Sequence, residues 1–132
     1  MSYVTDVLKN NRVFAVVGAT PNKEKYGYKI FAALREGNYQ VFPVNPKYET
    51  VDEAPCYPSL KELPTKPQVV VTVVPAEVTI KVVEECRLLG VPIVWMPPGS
   101  WSEEAISKAE SYGLKVIHDI CIIYSLKSLT LI

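Results

Sequence analysis

Short apolar runs alternate along the chain with segments whose apolar residues recur at the spacing of an α-helix. The apolar runs are nearly continuous and rich in valine, which is typical of strands buried on both faces of a parallel sheet. Strands are predicted at 12–17, 40–44, 68–74, 92–96 and 115–117. Helices are predicted at 2–10, 27–36, 76–89, 100–112 and 120–127, with a single helical turn at 59–62. The segment 47–58 is predicted to be irregular.

This alternation predicts an α/β fold in which helices cover both faces of a parallel sheet. Right-handed crossovers make such a sheet doubly wound. A chain of 132 residues has room for one domain, so residues 1–132 are predicted to form a single Rossmann-like domain with a five-stranded parallel sheet. The preferred strand order, numbered along the chain, is 3-2-1-4-5, and ligands of such sheets bind outside the carboxyl ends of the strands. Function is therefore sought in the loops after Val17, Val44, Val74 and Met96.

Three polar residues are predicted to begin helices. Ser59 and Ser100 each stand three residues before a glutamate, which is the spacing of a capping box. Asp119 is predicted to cap the last helix. Cys86 and Trp95 fall within apolar segments and are predicted to lie in the core.

Charge and composition exclude several classes of protein. Lysine and arginine total 14, as do aspartate and glutamate, whereas a protein that binds nucleic acid in bulk is normally basic. No apolar run approaches the ~20 residues of a membrane span, and the first residues show no secretory signal. The cysteines are widely spaced and form no metal-ligand cluster with His118. We therefore expect no nucleic acid, no membrane and no metal, and a reducing, cytoplasmic setting.

The neutral total conceals a local excess of positive charge. Between residues 18 and 47 there are five basic and two acidic side chains. All eleven prolines lie between Pro21 and Pro98, and six of them fall where predicted strands end. Both features predict a basic ligand edge with loops of fixed shape at the carboxyl ends of the strands.

The first of these loops, 18–27, has the composition of a phosphate-binding loop. Gly18 directly follows the first strand, so backbone can approach a ligand closely there. The next helix directs its amino-terminal amides toward the same place, and Lys23 and Lys25 add positive charge. The loop matches neither the GxGxxG pattern nor a Walker A motif. The alternative is a tight turn between strand and helix with solvated lysines.

The second loop carries Asn45, Pro46 and Lys47. The NAD-binding half of a Rossmann fold usually has an acidic residue here to hold the ribose. A lysine suits the phosphorylated ribose of NADP or coenzyme A better. The alternative is a turn fixed by proline, in which the Asn45 side chain bonds its own backbone. In the third loop, Val74 and Pro75 precede a helix that could contact a pyrophosphate or a pantetheine chain.

Several motifs, in order, resemble those of a known family: VGAT-x4-KYG, VFPVNPK, YPSL, VVPAE, GV-x3-W-x2-PGS and HD-x-C. The chain resembles the small stand-alone CoA-binding domain proteins, which are similar to the amino-terminal domain of the succinyl-CoA ligase α subunit. The resemblance covers residues 12–123. It implies a Rossmann-like fold that binds coenzyme A with its phosphates at the first loop. Two departures affect the pocket rim: no glycine precedes the YPSL segment, and Cys121 stands where the family often has arginine.

The resemblance implies cofactor contacts in four loops. Together with Lys23, which is included for its charge, the candidate cofactor-binding residues are Gly18, Ala19, Thr20, Lys25, Tyr26, Gly27, Asn45, Pro46, Lys47, Val74, Pro75, Pro98 and Gly99. The succession of His118, Asp119 and Cys121 suggests an activated thiol, but Asp119 is equally suited to capping a helix. No catalytic residue is predicted.

The sequence therefore predicts a protein that binds coenzyme A or an acyl-CoA and lacks its own catalytic apparatus. One alternative is an enzyme subunit that uses NADP or another nucleotide. Another is a regulatory module that senses CoA or a dinucleotide. The apolar segment 126–132 is predicted to pack on the body of the domain or on a second subunit, as in a homodimer or a complex with a partner protein.

Overall fold

Five parallel strands form the central sheet of the computed structural model, which describes residues 2–130. The strands are β1 (Val13–Val17), β2 (Gln40–Val44), β5 (Val69–Thr72), β6 (Ile93–Met96) and β7 (Lys115–His118). The helices are α1 (Ser2–Asn10), α2 (Tyr26–Glu36), α3 (Ala76–Leu89), α4 (Glu103–Ser111) and α5 (Ile122–Thr130). Between β2 and β5 lie the hairpin strands β3 (Thr50–Val51) and β4 (Ala54–Pro55) and a 3-10 helix, Leu60–Glu62. The segment predicted to be irregular thus contains a small hairpin.

The predicted Rossmann-like, doubly wound α/β sheet is confirmed, but the predicted strand order is wrong. The order is β2-β1-β5-β6-β7, so the third principal strand lies beside the first. All four residues of β5 are buried, and a central position covers such a strand on both faces. The edge beyond β2 is occupied instead by Tyr57, which forms an isolated parallel bridge with Val44.

Helices cover the two faces of the sheet in separate layers. On one face, α1, α2 and α5 pack over Phe14, Val16 and Trp95. On the other face, α3 and α4 pack over Ala15, Val70 and Met96. Trp95 is fully buried, and its indole Nε1 donates a hydrogen bond to the Ile120 carbonyl at 2.8 Å. The predicted core positions of Cys86 and Trp95 are therefore confirmed.

The predicted helix caps differ from those observed. Ser59 forms no side-chain cap, and Ser102, rather than Ser100, caps α4 by accepting a hydrogen bond from the Ala105 amide at 3.1 Å. Ser100 is buried and bonded elsewhere, so its hydroxyl does not serve the helix. Asp119 adopts a left-handed φ of 60°, and α5 begins only at Ile122, so Asp119 is not its cap.

The apolar carboxyl-terminal segment packs on the domain as far as the structure describes it. Leu126 and Leu129 of α5 are partly buried against the core cluster beneath α1 and α2. Leu131 and Ile132 lie outside the described residues. Within residues 2–130, no helix is both long enough and apolar enough to cross a membrane.

Candidate functional site

The carboxyl ends of three strands finish level at one edge of the sheet. Val17 at the end of β1 pairs with Val44 of β2 on one side and with Thr72 of β5 on the other. The chain leaves β1 toward α2 on one face and leaves β5 toward α3 on the opposite face. The strand order reverses between β1 and β5, which is where sheets of this order open a ligand crevice.

Two glycines bring three backbone segments into direct contact at this reversal. Gly18 has a φ of 97°, and a Cβ placed on it would overlap the carbonyl oxygen of Val73. A Cβ on Gly27 would in turn overlap the carbonyl oxygen of Gly18. The loop after β5, the loop after β1 and the start of α2 are therefore stacked at distances that no side chain permits.

The first loop is held by its own hydrogen bonds. The Thr20 hydroxyl accepts from the Asn22 amide at 3.2 Å, and the Asn22 side chain accepts from the Glu24 amide at 3.0 Å. Lys25 precedes α2 in an extended conformation and provides no side-chain cap. The first amides of α2 thus lack a capping partner from Lys25, and such amides favour an anion.

Asn45 connects the second loop to the first. Its Nδ2 donates to the Ala19 carbonyl at 2.9 Å, and its Oδ1 accepts from the Lys47 amide at 3.0 Å. The second bond is the turn expected when asparagine bonds its own backbone. The first bond is a link between loops, which no local pattern in the sequence indicates.

The third and fourth loops line an open cavity of about 250 Å³ beside the switch point. Predicted site residues Val74, Pro75, Pro98 and Gly99 line it. Its lining residue Ser100 is 2% exposed and donates to the Pro97 carbonyl at 3.0 Å.

Beneath this cavity, the fully buried Thr72 hydroxyl lies 3.2 Å from that of Ser100. Thr72 is not among the predicted site residues, although it is the single polar residue within the run VVVTVV. A larger cavity of about 440 Å³ lies among α1, α2 and α5, and none of the predicted site residues lines it.

The expected basic edge is smaller than the sequence indicated. Lys23, Lys25 and Lys47 are exposed in the first and second loops, and none of the three forms an ion pair within residues 2–130. Arg35, however, lies in the last turn of α2, where its guanidinium bonds the Asp52 carbonyl at 3.4 Å. Arg35 therefore lies at the end of α2 that is remote from the predicted ligand edge and does not contribute to its charge.

The carboxyl-terminal cluster of polar residues is not arranged as an activated nucleophile. His118 packs its ring against Trp101, with ring centroids 5.5 Å apart, and within residues 2–130 it forms no hydrogen bond with Cys121. The Cys121 thiol instead accepts a hydrogen bond from the hydroxyl of Tyr26, at 3.1 Å. This link joins the start of α5 to the start of α2 across 95 residues of sequence.

The three cysteines lie in different electrostatic environments. Burial raises the pKa of the Cys56 thiol and that of Cys86, the latter to about 12. Burial also acts on Cys121, but hydrogen bonds from the Tyr26 hydroxyl and from two amides at the start of α5 hold its pKa below the ordinary value.

We expect Cys121 to be alkylated first. The thiolate is the nucleophile, and at neutral pH the fraction present as thiolate is larger for Cys121 than for Cys56 or Cys86. Iodoacetamide labelling between pH 6 and 10, mapped by mass spectrometry, should give Cys121 the lowest midpoint. Tyr26→Phe, which removes one donor to the thiolate, should raise that midpoint. Equal midpoints for Cys121 and Cys56 would contradict this expectation.

The sequence and the fold were compared with those of known proteins. Residues 12–127 match the model of a family described as a CoA binding domain. An ADP-forming acetate–CoA ligase I from Archaeoglobus fulgidus is 34% identical over 121 residues, which are 84% of this chain and 18% of the ligase. The Bacillus subtilis protein YneT is 30% identical over 122 residues, 90% of this chain and 88% of YneT.

A solved structure, a hypothetical protein from Pyrococcus horikoshii OT3, shares the fold with a TM-score of 0.93 at 33% identity, covering 97% of this chain and 90% of that one. The chain spans less than a third of the length of the ligase it matches. These similarities confirm the resemblance suggested by the motifs. Because the family match extends over most of the sequence, the chain belongs to the CoA-binding domain family and is homologous to the corresponding part of the ADP-forming acetate–CoA ligases.

Proposed function

We propose that this protein binds coenzyme A, or an acyl-CoA, across the carboxyl ends of β1, β2, β5 and β6, and that it has no catalytic apparatus of its own. When bound, the cofactor supplies a thiol that carries acyl groups as thioesters. The observation that carries the proposal is the stacking of Gly18, Gly27 and the Val73 backbone. Because these glycines carry no side chains, the first loop lies directly against the start of α2, and backbone held beside a helix amino terminus is suited to a phosphate group.

Each loop has a distinct role in the proposed complex. The first loop, with Ala19, Thr20, Tyr26 and the exposed lysines, holds the pyrophosphate. The second loop presents Lys47 to the phosphate on the ribose, while Asn45 keeps the two loops together. The third and fourth loops flank the pantetheine arm with the proline-rich walls of the 250 Å³ cavity.

The second loop also favours one alternative ligand. Asn45 and Lys47 stand where a carboxylate would hold an unphosphorylated ribose, so NADP is the competing cofactor. Regulation through a partner protein, assembly as a homodimer and a cytoplasmic location stay predictions.

Calorimetric titration with CoA, dephospho-CoA, NADP and NAD distinguishes these ligands. We expect CoA to bind at submillimolar concentration. Lys47→Ala should weaken CoA about three- to tenfold and leave dephospho-CoA nearly unchanged, because an exposed lysine makes a modest contact with the 3′-phosphate. Lys25→Ala should weaken both ligands by the same factor, since both carry the pyrophosphate.

A matched control is available at the opposite edge of the sheet. Lys115 is an exposed lysine at the amino end of β7, and Lys115→Ala should leave all four affinities unchanged. Clear binding of NADP without binding of CoA would contradict the proposed function. Equal losses of CoA and dephospho-CoA in Lys47→Ala would place Lys47 on the pyrophosphate instead.

A further inference from the structure

One aromatic side chain beside the proposed site forms no side-chain hydrogen bond or ring contact with the residues that the structure describes. Four large apolar or aromatic side chains are exposed within the described residues: Tyr3, Tyr48, Leu88 and Tyr124. Three of them lie on helices, whereas Tyr48, 37% exposed, lies in the loop after the carboxyl end of β2. Within residues 2–130 its hydroxyl forms no hydrogen bond and its ring packs against no other ring. An exposed aromatic ring at this edge is therefore available to a flat ligand.

The turn that carries Tyr48 is fixed from both sides. The Tyr48 amide donates to the Asn45 carbonyl at 3.4 Å, and the Asn45 amide donates to the Tyr57 carbonyl at 2.9 Å. The Asn45 side chain reaches the Ala19 carbonyl of the first loop. The turn that carries Tyr48 is therefore tied to the first loop. Its backbone does not need to become ordered when a ligand binds.

Lys47 and Tyr48 are adjacent in the sequence and both exposed, so the second loop carries a cation and an aromatic ring at neighbouring positions. This combination suits a purine base with a phosphate on its ribose, since every base has a π-face that stacks on aromatic rings. We propose that Tyr48 is the stacking surface for the adenine of the ligand, so that the site selects an adenosine-bearing cofactor and not the pantetheine arm alone. The inference rests on the proposed function.

The test compares three ligands that carry different parts of the cofactor: CoA, adenosine 3′,5′-bisphosphate and 4′-phosphopantetheine. Tyr48→Leu should weaken CoA and adenosine 3′,5′-bisphosphate by the same factor, about five- to tenfold, because both contain the base. The affinity for 4′-phosphopantetheine should not change. Tyr48→Phe, which keeps the ring, should bind all three within about twofold of the wild type.

A spectroscopic measurement reports stacking directly. The fluorescence of 1,N6-etheno-CoA should change when it binds the wild type and Tyr48→Phe, and this change should be lost at saturation of Tyr48→Leu. Tyr124→Leu is the matched control, because Tyr124 is an exposed tyrosine that lies on α5 and not in the second loop.

The possible failures are distinguishable. If the wild type binds CoA and Tyr48→Leu binds it equally well, or loses 4′-phosphopantetheine to the same extent, the assignment of Tyr48 is overturned while the proposed function stands. If the wild type binds no CoA, both are overturned.

Discussion

Gly18→Ala is expected to be among the most destabilising single substitutions in this protein. The added methyl group overlaps the Val73 carbonyl oxygen, and the φ of 97° is strained for alanine. Overpacking costs about 1–3 kcal/mol and a left-handed backbone about 1–2 kcal/mol, so we expect a loss of about 3–4 kcal/mol in the free energy of unfolding. Urea titration followed by tryptophan fluorescence measures this loss as a lower midpoint at an unchanged slope.

Two further glycine variants separate the two causes. Gly113 has a φ of 82° and nothing within 4 Å of its hypothetical Cβ, so Gly113→Ala should cost only the backbone strain, about 1–2 kcal/mol. Gly27→Ala should cost only the overlap with the Gly18 carbonyl, because Gly27 lies in the ordinary conformation of α2. If Gly18→Ala and Gly113→Ala have the same midpoint, the overlap with Val73 adds nothing to the cost of Gly18→Ala.

The same contact connects stability with the proposed function. Where Gly27→Ala remains folded, the first loop must move away from α2 to accept the methyl group. The first loop and the amino terminus of α2 then no longer keep their relative positions, and the loss of CoA affinity should exceed the fraction of protein that Gly27→Ala leaves unfolded. Binding as tight as that of the wild type would show that the stacked glycines serve packing alone.

The sequence predicted those parts of the fold that depend on local signals. The helix at 76–89 was placed correctly, because Pro75 begins it and Gly90 ends it with a left-handed φ of 79°. Contacts over long sequence distances were not predictable in this way. The pairing of β5 with β1 and the hydrogen bond between Tyr26 and Cys121 depend on which segments meet after folding.

The fourth loop shows how a tertiary contact overrides a correct local rule. In Ser100-Trp101-Ser102-Glu103, both serines are good candidates to cap α4. Thr72 decides between them, because its buried hydroxyl lies beside that of Ser100 and keeps Ser100 in the interior. Ser102 is then the serine left at the helix start. A polar residue within a buried strand was the signal that a partner of this kind would be needed.

Asn45→Asp should cause the largest loss of affinity among substitutions that leave the fold intact. A carboxylate still accepts from the Lys47 amide, so the turn is kept, but it cannot donate to the Ala19 carbonyl. It also brings a negative charge to the edge that is proposed to hold phosphates. An unmade hydrogen bond costs about 1–3 kcal/mol, and repulsion of the phosphates adds to it, so CoA affinity should fall about 30-fold or more.

Two comparisons separate the charge from the missing donor. Asn45→Ala loses both hydrogen bonds without adding charge, and its loss should be about tenfold. Only the loss in Asn45→Asp should shrink between 50 and 200 mM salt, because salt screens the repulsion. The carboxylate is also the group that holds an unphosphorylated ribose, so the ratio of NAD to CoA affinity should rise in Asn45→Asp. If both variants lose the same factor at both salt concentrations, Asn45 acts through the link to Ala19 and not through the charge of this edge.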